Sequence, residues 1–393
     1  MRRFASLILV IAIVVFQTGC WNAREINELA FVLSIALDKS DSGFKVTAQI
    51  AKPEVYSKTS TGSAGATEKE KPFWIISADG KSIFEAVRNM AELSPRRVFW
   101  SHIKVIIIGE ELARSNILEI FDFFSRNPEL RLRTWIAVTE GEAGKIVQIV
   151  PTMEKDPSSN IEKLISKVNL SGKAYGMMLK NFLEEYLDPY LDPVASRIVV
   201  TTVNSKPTIK LEGASVFNSS NMVGWLDGNE ARGLLWLKNK ISGSLRVVEC
   251  PYDGLPVSME IKKGKSKIKG RINNGVPEFT IQATADAKLT EKACTTDFNN
   301  KQAIKDLENI LASVIKEDIE AAVKAAQNFG TDFADFSQAL QSSNKKEWQK
   351  ISQNWTQLLK SAKVDIQVKV SIHEVSLLAK SLVPKQTTPE NTH

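Results

Sequence analysis

Apolar residues fall along this chain in three kinds of run. The first is a block almost without polar interruption: residues 4–16, where Ser6 alone is polar, preceded by Met1-Arg2-Arg3. A membrane-spanning helix needs about 20 apolar residues, so this shorter block, followed at once by Gln17 and Thr18, predicts a signal-peptide core. The second kind is short, alternating or continuous, and bounded by turn residues, which predicts strands. Residues 30–38 and 44–51 flank Lys39-Ser40-Asp41-Ser42-Gly43 as a hairpin, and residues 72–77 add a strand. The runs at 102–109 and 131–139 also read as strands, the first so aliphatic that both its faces should be covered. Short strands are expected at 196–203, 207–217 and 222–227. A long hairpin from Pro256 is marked by Asn273-Asn274-Gly275, because Asn-Gly readily takes the positive φ angles of a type I′ turn. Val364, Ile366, Val368, Val370 and Ile372 alternate with polar residues in a last strand.

The third kind has helical spacing. Ser82 and Glu85 form a capping-box signature for a helix that ends near Leu93, before Pro95. Helices follow at 110–127, 141–150, 161–170, 173–186 and 230–238. A long one over 303–329 carries Ile304, Leu307, Leu311, Val314, Ile315 and Ile319 as its buried stripe, and Trp348, Ile351, Trp355, Leu358 and Leu359 repeat the pattern in another. The whole predicts an α+β, mixed α/β protein of three unequal domains with mixed sheets and packed helices. An N-terminal domain over 20–190, with partly parallel strands, ends at Asp188-Pro189-Tyr190-Leu191-Asp192-Pro193, which stops a helix. A small middle domain over 191–255 and a C-terminal domain over 256–383 follow. Residues 57–71 have no bulky apolar side chain and read as a mobile loop; 384–393 read as a disordered tail.

Composition narrows the class. With 43% hydrophobic and 24% charged residues among 393, the chain can bury several cores. A net charge of +6 is mild for that length and does not imply bulk nucleic-acid binding. Three cysteines are present. The Gly19-Cys20 pair, placed just after the apolar block, resembles the lipobox of bacterial lipoproteins, in which residues 1–19 are removed and the Cys20 thiol receives a diacylglycerol. The alternatives are a plain secreted protein with a free or bonded Cys20, or an uncleaved signal anchor. Cys250 and Cys294 fit either one disulfide in an extracytoplasmic compartment or two buried thiols.

Catalytic chemistry is thinly provided. The histidines are His102, His373 and His393, and the chain has no His-Glu-x-x-His, Cys-x-x-Cys, Gly-x-Ser-x-Gly, Gly-x-Gly-x-x-Gly or Walker-type segment. No catalytic residue, metal site or cofactor is therefore assigned, and the protein reads as a non-enzyme. Two stretches are candidates for interaction. Arg97, Trp100, Ser101 and His102 combine residue types that dominate interfaces, though a strand entrance with Trp100 in the core would use them as well. Lys263, Lys265, Lys267, Lys269 and Arg271 share one parity, hence one face of a strand, which could meet anionic lipid or an acidic partner or could simply be solvated.

Several stretches in order resemble one family. Gly19-Cys20-Trp21-Asn22-Ala23-Arg24-Glu25-Ile26, then Leu29-Ala30-Phe31-Val32, Arg97-Val98-Phe99-Trp100-Ser101-His102, the segment 213–237, and Thr331-Asp332-Phe333 followed by Trp348 and Trp355 are similar to the Ger(x)C family of spore germination lipoproteins. Gln17 and Asn22 depart from the usual aliphatic residue and Asp. The resemblance implies the C subunit of a nutrient germinant receptor, lipid-anchored on the outer face of the inner spore membrane. It also implies two integral-membrane partners, the A- and B-type subunits, a nutrient germinant as ligand of the complex, and a three-domain mixed α/β architecture. A lipid-anchored solute-binding protein of a transport system is the alternative function.

Overall fold

A computed structural model of the chain describes residues 25–58 and 71–375. Residues 1–19, Cys20, all but the ends of the 57–71 loop, and the 384–393 tail lie outside those residues.

β1 (Leu29–Ser40) and β2 (Gly43–Ala51) form the expected hairpin, and β3 (Phe73–Gly80) leads into α1 (Ile83–Leu93). Next come β4 (Arg97–Phe99), β5 (Val105–Gly109), α2 (Leu118–Arg126), β6 (Trp135–Thr139), β7 (Met177–Met178) and α3 (Leu179–Leu187). β8 (Val194–Val203), β9 (Lys206–Asn218) and β10 (Asn221–Leu226) precede α4 (Gly228–Leu237) and β11 (Ser244–Glu249). The chain then makes β12 (Pro256–Asn273), β13 (Val276–Lys292), α5 (Lys301–Phe329), α6 (Phe336–Ser343) and β14 (Lys363–Val375).

The first sheet runs β10-β9-β8-β6-β5-β1-β2-β3, with β4 beside β1 and β7 beside β6. Its centre is parallel, as the strand–helix alternation predicts: Ser34 faces Val105, Val105 faces Trp135 and Ala137 faces Ser196. Both faces of β5 are covered. Ile106 and Ile108 enter the larger core, while Val105 and Ile107 enter a smaller one with Ala143, Ile146, Ile161 and Ile165. That is why the run shows no alternation.

The sheet does not stop at residue 190. β8, expected to open a separate middle domain, pairs in parallel with β6, and β9 and β10 extend the same sheet. β11 instead pairs with β12 in the second sheet, ordered β11-β12-β13-β14, so the 191–255 stretch is shared between two sheets. The reason is geometric: a helix-stopping segment ends a helix, but it does not stop the next strand from returning to an open edge of the sheet.

Several predicted helices are divided. The 110–127 run breaks at Asn116, whose side chain accepts from the Leu118 amide at 2.8 Å while the Ile117 amide bonds Ser220 of the β9–β10 turn at 2.9 Å. The 141–150 helix contracts to Ala143–Ile146. The helix expected at 161–170 begins earlier, at Pro157, capped by Asp156, and that expected at 173–186 becomes β7 and α3. The Trp348–Trp355 region is three short turns that place both indoles in one aromatic cluster with Tyr190.

In the second sheet the β12–β13 hairpin turns at Asn274 and Gly275, with φ of 50° and 80°, as a type I′ turn requires. Its inner face packs against α4, α5 and α6. α4 crosses α5 so closely that a Cβ on Gly233 would lie 2.0 Å from the Asp318 carbonyl oxygen. Asp318, fully buried, is held between Arg232 and Arg246. Polar locks join the two sheets. The Lys238 ammonium lies 2.8 Å from both Glu185 and Asp335, and the Asp192 carboxylate accepts from the Asp332 amide at 2.8 Å.

Candidate functional site

Between α1 and α2 the surface opens into a cleft of about 1030 Å³. Local sequence sets its walls. Ser82 caps α1, its hydroxyl accepting from the Glu85 amide at 3.2 Å, and the Glu85 carboxylate accepts from the Lys81 amide at 2.6 Å. α1 ends before Pro95, and the Ser94-Pro95-Arg96 turn, closed by the Ser94 hydroxyl donating to the Arg96 carbonyl at 2.7 Å, delivers β4 beside β1. Val98 and Trp100 floor the cleft, with Trp100 only 5% exposed. Ile83, Val87 and Phe123 line its sides, and Phe84 and Leu118 stand on its lips, 56% and 51% exposed.

The charged rim is largely paired. Arg97 meets Glu129 at 2.8 Å, Arg126 meets Asp122 at 2.8 Å, and the Arg88 guanidinium lies 5.0 Å from the Phe84 ring centroid. Both serine hydroxyls are engaged with backbone, the Asp122 and Glu129 carboxylates face arginines, and neither histidine nor cysteine lines the cleft. Such a surface can bind an apolar partner; it has no nucleophile–base pair to break bonds.

Of the residues singled out from sequence, the cleft recruits Arg97 and Trp100. Ser101 is half-buried beyond it, and His102 turns away, its ring against Phe31 at 5.0 Å and Phe99 at 5.8 Å. Burial, then the charges of Arg131 and Lys104, lower the His102 pKa below its ordinary value. The sequence reading missed Phe84 and Leu118. The signal was an apolar residue beside another at a helix start, Ile83-Phe84 and Ile117-Leu118, where only one of the two can face the core.

The five basic residues of β12 do share one exposed face. They lie on the second sheet and are not among the residues lining the cleft. Cys250 and Cys294 are brought together, their sulfurs at bonding distance and their Cα atoms 6.4 Å apart. With Asp253 they make the grouping among the described residues that could surround a metal ion, but paired sulfurs offer it no thiolate. Arg197, unremarked in the sequence, bridges Glu140 and Asp227 over the Trp225 ring at the ends of β6 and β10. Among the described residues, no helix is long and apolar enough to cross a membrane.

The family model for the spore germination protein N-terminal domain matches residues 22–200, and that for the spore germination B3/GerAC-like C-terminal region matches 212–376. The chain belongs to the spore germination B3/GerAC-like, or Ger(x)C, family. It is 28% identical over 361 residues to spore germination protein B3 of Bacillus subtilis (strain 168), covering 90% of this chain and 93% of that protein. To spore germination protein KC of the same organism it is 22% identical over 399 residues, covering 96% and 97%. The fold is also that of the GerBC protein crystal structure, with a TM-score of 0.56 at 23% identity over 86% of this chain and 96% of that one. The α+β architecture is thus a property of the family.

Proposed function

We propose that this protein is a lipid-anchored, non-catalytic subunit of a spore nutrient germinant receptor, docking laterally onto two integral-membrane subunits of A and B type. Family membership along almost the whole chain supports the spore germination role. The observation that carries the docking mechanism is the α1–α2 cleft, an apolar groove with exposed lips and no catalytic grouping. The tether is the Cys20 diacylglycerol on the outer face of the inner spore membrane: each buried methylene contributes about 0.8 kcal/mol, so two or more acyl chains hold stably where one does not.

The test is co-isolation from spore membranes. Phe84→Glu with Leu118→Glu places charge on both lips without touching the core, and is expected to cut recovery of the integral subunits at least about tenfold. Cys20→Ala is expected to release the protein from the membrane fraction. Unchanged co-isolation by the lip variant would remove the cleft from the mechanism. Stoichiometric nutrient binding by the released body, with no integral partner recovered, would favour the solute-binding alternative.

A further inference from the structure

The outer face of the second sheet carries a charge pattern that the strand sequence alone does not establish. A bulge between Ile261 and Lys263 shifts the register of β12 against β13. Before it the odd positions Val257, Met259 and Ile261 are buried; after it the even positions face inward, and Lys263, Lys265, Lys267, Lys269 and Arg271 all point to solvent. Residues two apart on a strand are separated by about 7 Å, so the row extends roughly 27 Å. β11 pairs with β12 only as far as Ile261, which leaves the row along an open edge.

Opposing charge is sparse where it counts. The central three lysines face Thr284, Gln282 and Thr280 across the strand pair. At the ends carboxylates do stand opposite: Glu278 pairs with Arg271 at 2.6 Å, and Asp286, across from Lys263 in the register, lies 3.4 Å from His373. Among the described residues, Lys263, Lys265, Lys267 and Lys269 have no ion-pair partner. On β14 the same face carries Lys363 and Lys369, opposite Glu278 and Thr284, and one carboxylate, Asp365, opposite Thr280, which accepts from the Gln367 side-chain amide at 2.8 Å. From Lys263 to Arg271, and on the β13 positions opposite them, the face carries no bulky apolar side chain; Leu245 and Val247 of β11 and Val276 at the turn, 52%, 58% and 40% exposed, flank the row at its two ends.

We propose that this face is a membrane-contacting platform that lies against anionic phospholipid headgroups, a second attachment independent of any lipid on Cys20. Anionic lipid supplies a continuous negative surface that matches a long unpaired cationic row without requiring shape complementarity, whereas an acidic protein would need fixed partners for each lysine.

The test uses the full-length Cys20→Ala chain, so that acylation does not enter and a failure of the anchor reading is scored separately. Co-sedimentation is measured with vesicles containing about one-third phosphatidylglycerol in phosphatidylcholine, and with pure phosphatidylcholine, at low and high salt. Binding to the anionic vesicles is expected, weakened at high salt, and reduced at least roughly thirtyfold in Lys265→Glu/Lys267→Glu. Lys345→Glu/Lys346→Glu, on an exposed helix elsewhere, should bind as the parent does. Circular dichroism of both variants checks that they remain folded. Equal binding to neutral vesicles, or full binding by the Lys265→Glu/Lys267→Glu variant, overturns the platform. So does retention on poly-glutamate without vesicle binding, which would assign the face to an acidic protein.

Discussion

Asp332 and Asp192 show how burial sets the chemistry of single side chains. Asp332 is 1% exposed, and its carboxylate accepts from the Phe336 and Ser337 amides at 2.9 and 2.7 Å, capping α6. Burial outweighs those bonds and raises its pKa to about 6; burial does the same for Asp192, also to about 6, against bonds from Asp332 and Ser219. Between pH 4 and 6 the folded protein therefore holds protons that the unfolded chain has released. Stability is accordingly expected to fall as pH rises through that window, by roughly 2 kcal/mol per group. Urea midpoints at pH 4.5 and 6.5 measure it. Asp192→Asn, which keeps an acceptor for the Asp332 amide, should flatten the slope; a slope unchanged by that variant would mean other groups set it.

At the scale of elements, the α4–α5 crossing turns on one missing side chain. In a solvent-facing helix Gly→Ala gains up to about 1 kcal/mol. At Gly233 the new Cβ would meet the Asp318 carbonyl at 2.0 Å and the Ala322 Cβ at 2.6 Å, and backbone on a buried helix cannot move aside. Overpacking costs of about 1–3 kcal/mol win, so Gly233→Ala should lower the melting temperature rather than raise it. Strands were the most legible elements, since β1 and β2 follow from apolar runs either side of a turn-rich segment, and β13 and β14 from alternation and turn residues. Helix ends were less so: the break at Asn116 depends on a bond to Ser220, more than a hundred residues away, which no local pattern announces. The basic row on β12 was legible as one face, but the bulge that sends it outward is set by pairing with β13. The cleft was half legible: Arg97 and Trp100 stood out as residue types, while Phe84 and Leu118 looked like ordinary helix residues until the helices were placed side by side.

For the whole molecule, the joint between the sheets rests on charge held out of water. Burial pulls the Lys238 ammonium down, but Glu185 and Asp335 opposite it, with Tyr175, more than compensate and keep it above its ordinary value. Removing the cation strands a buried carboxylate, and Lys238→Met is expected to cost about 3 kcal/mol or more in urea unfolding. Adding Glu185→Leu should recover part of that loss, because it removes the more deeply buried of the two carboxylates and leaves only Asp335, whose side chain is 35% exposed, without its cation. A cost unchanged by the second substitution would show that Lys238 acts through packing instead. The β8–β9 hairpin has a consequence for anyone recombining relatives of this chain. The two family segments meet at residues 200–212, inside that hairpin, where Val203 pairs with Lys206. A chimaera spliced there would ask two foreign strands to find a common register, whereas a junction in the loop after α4 would exchange the second sheet and leave the first one whole.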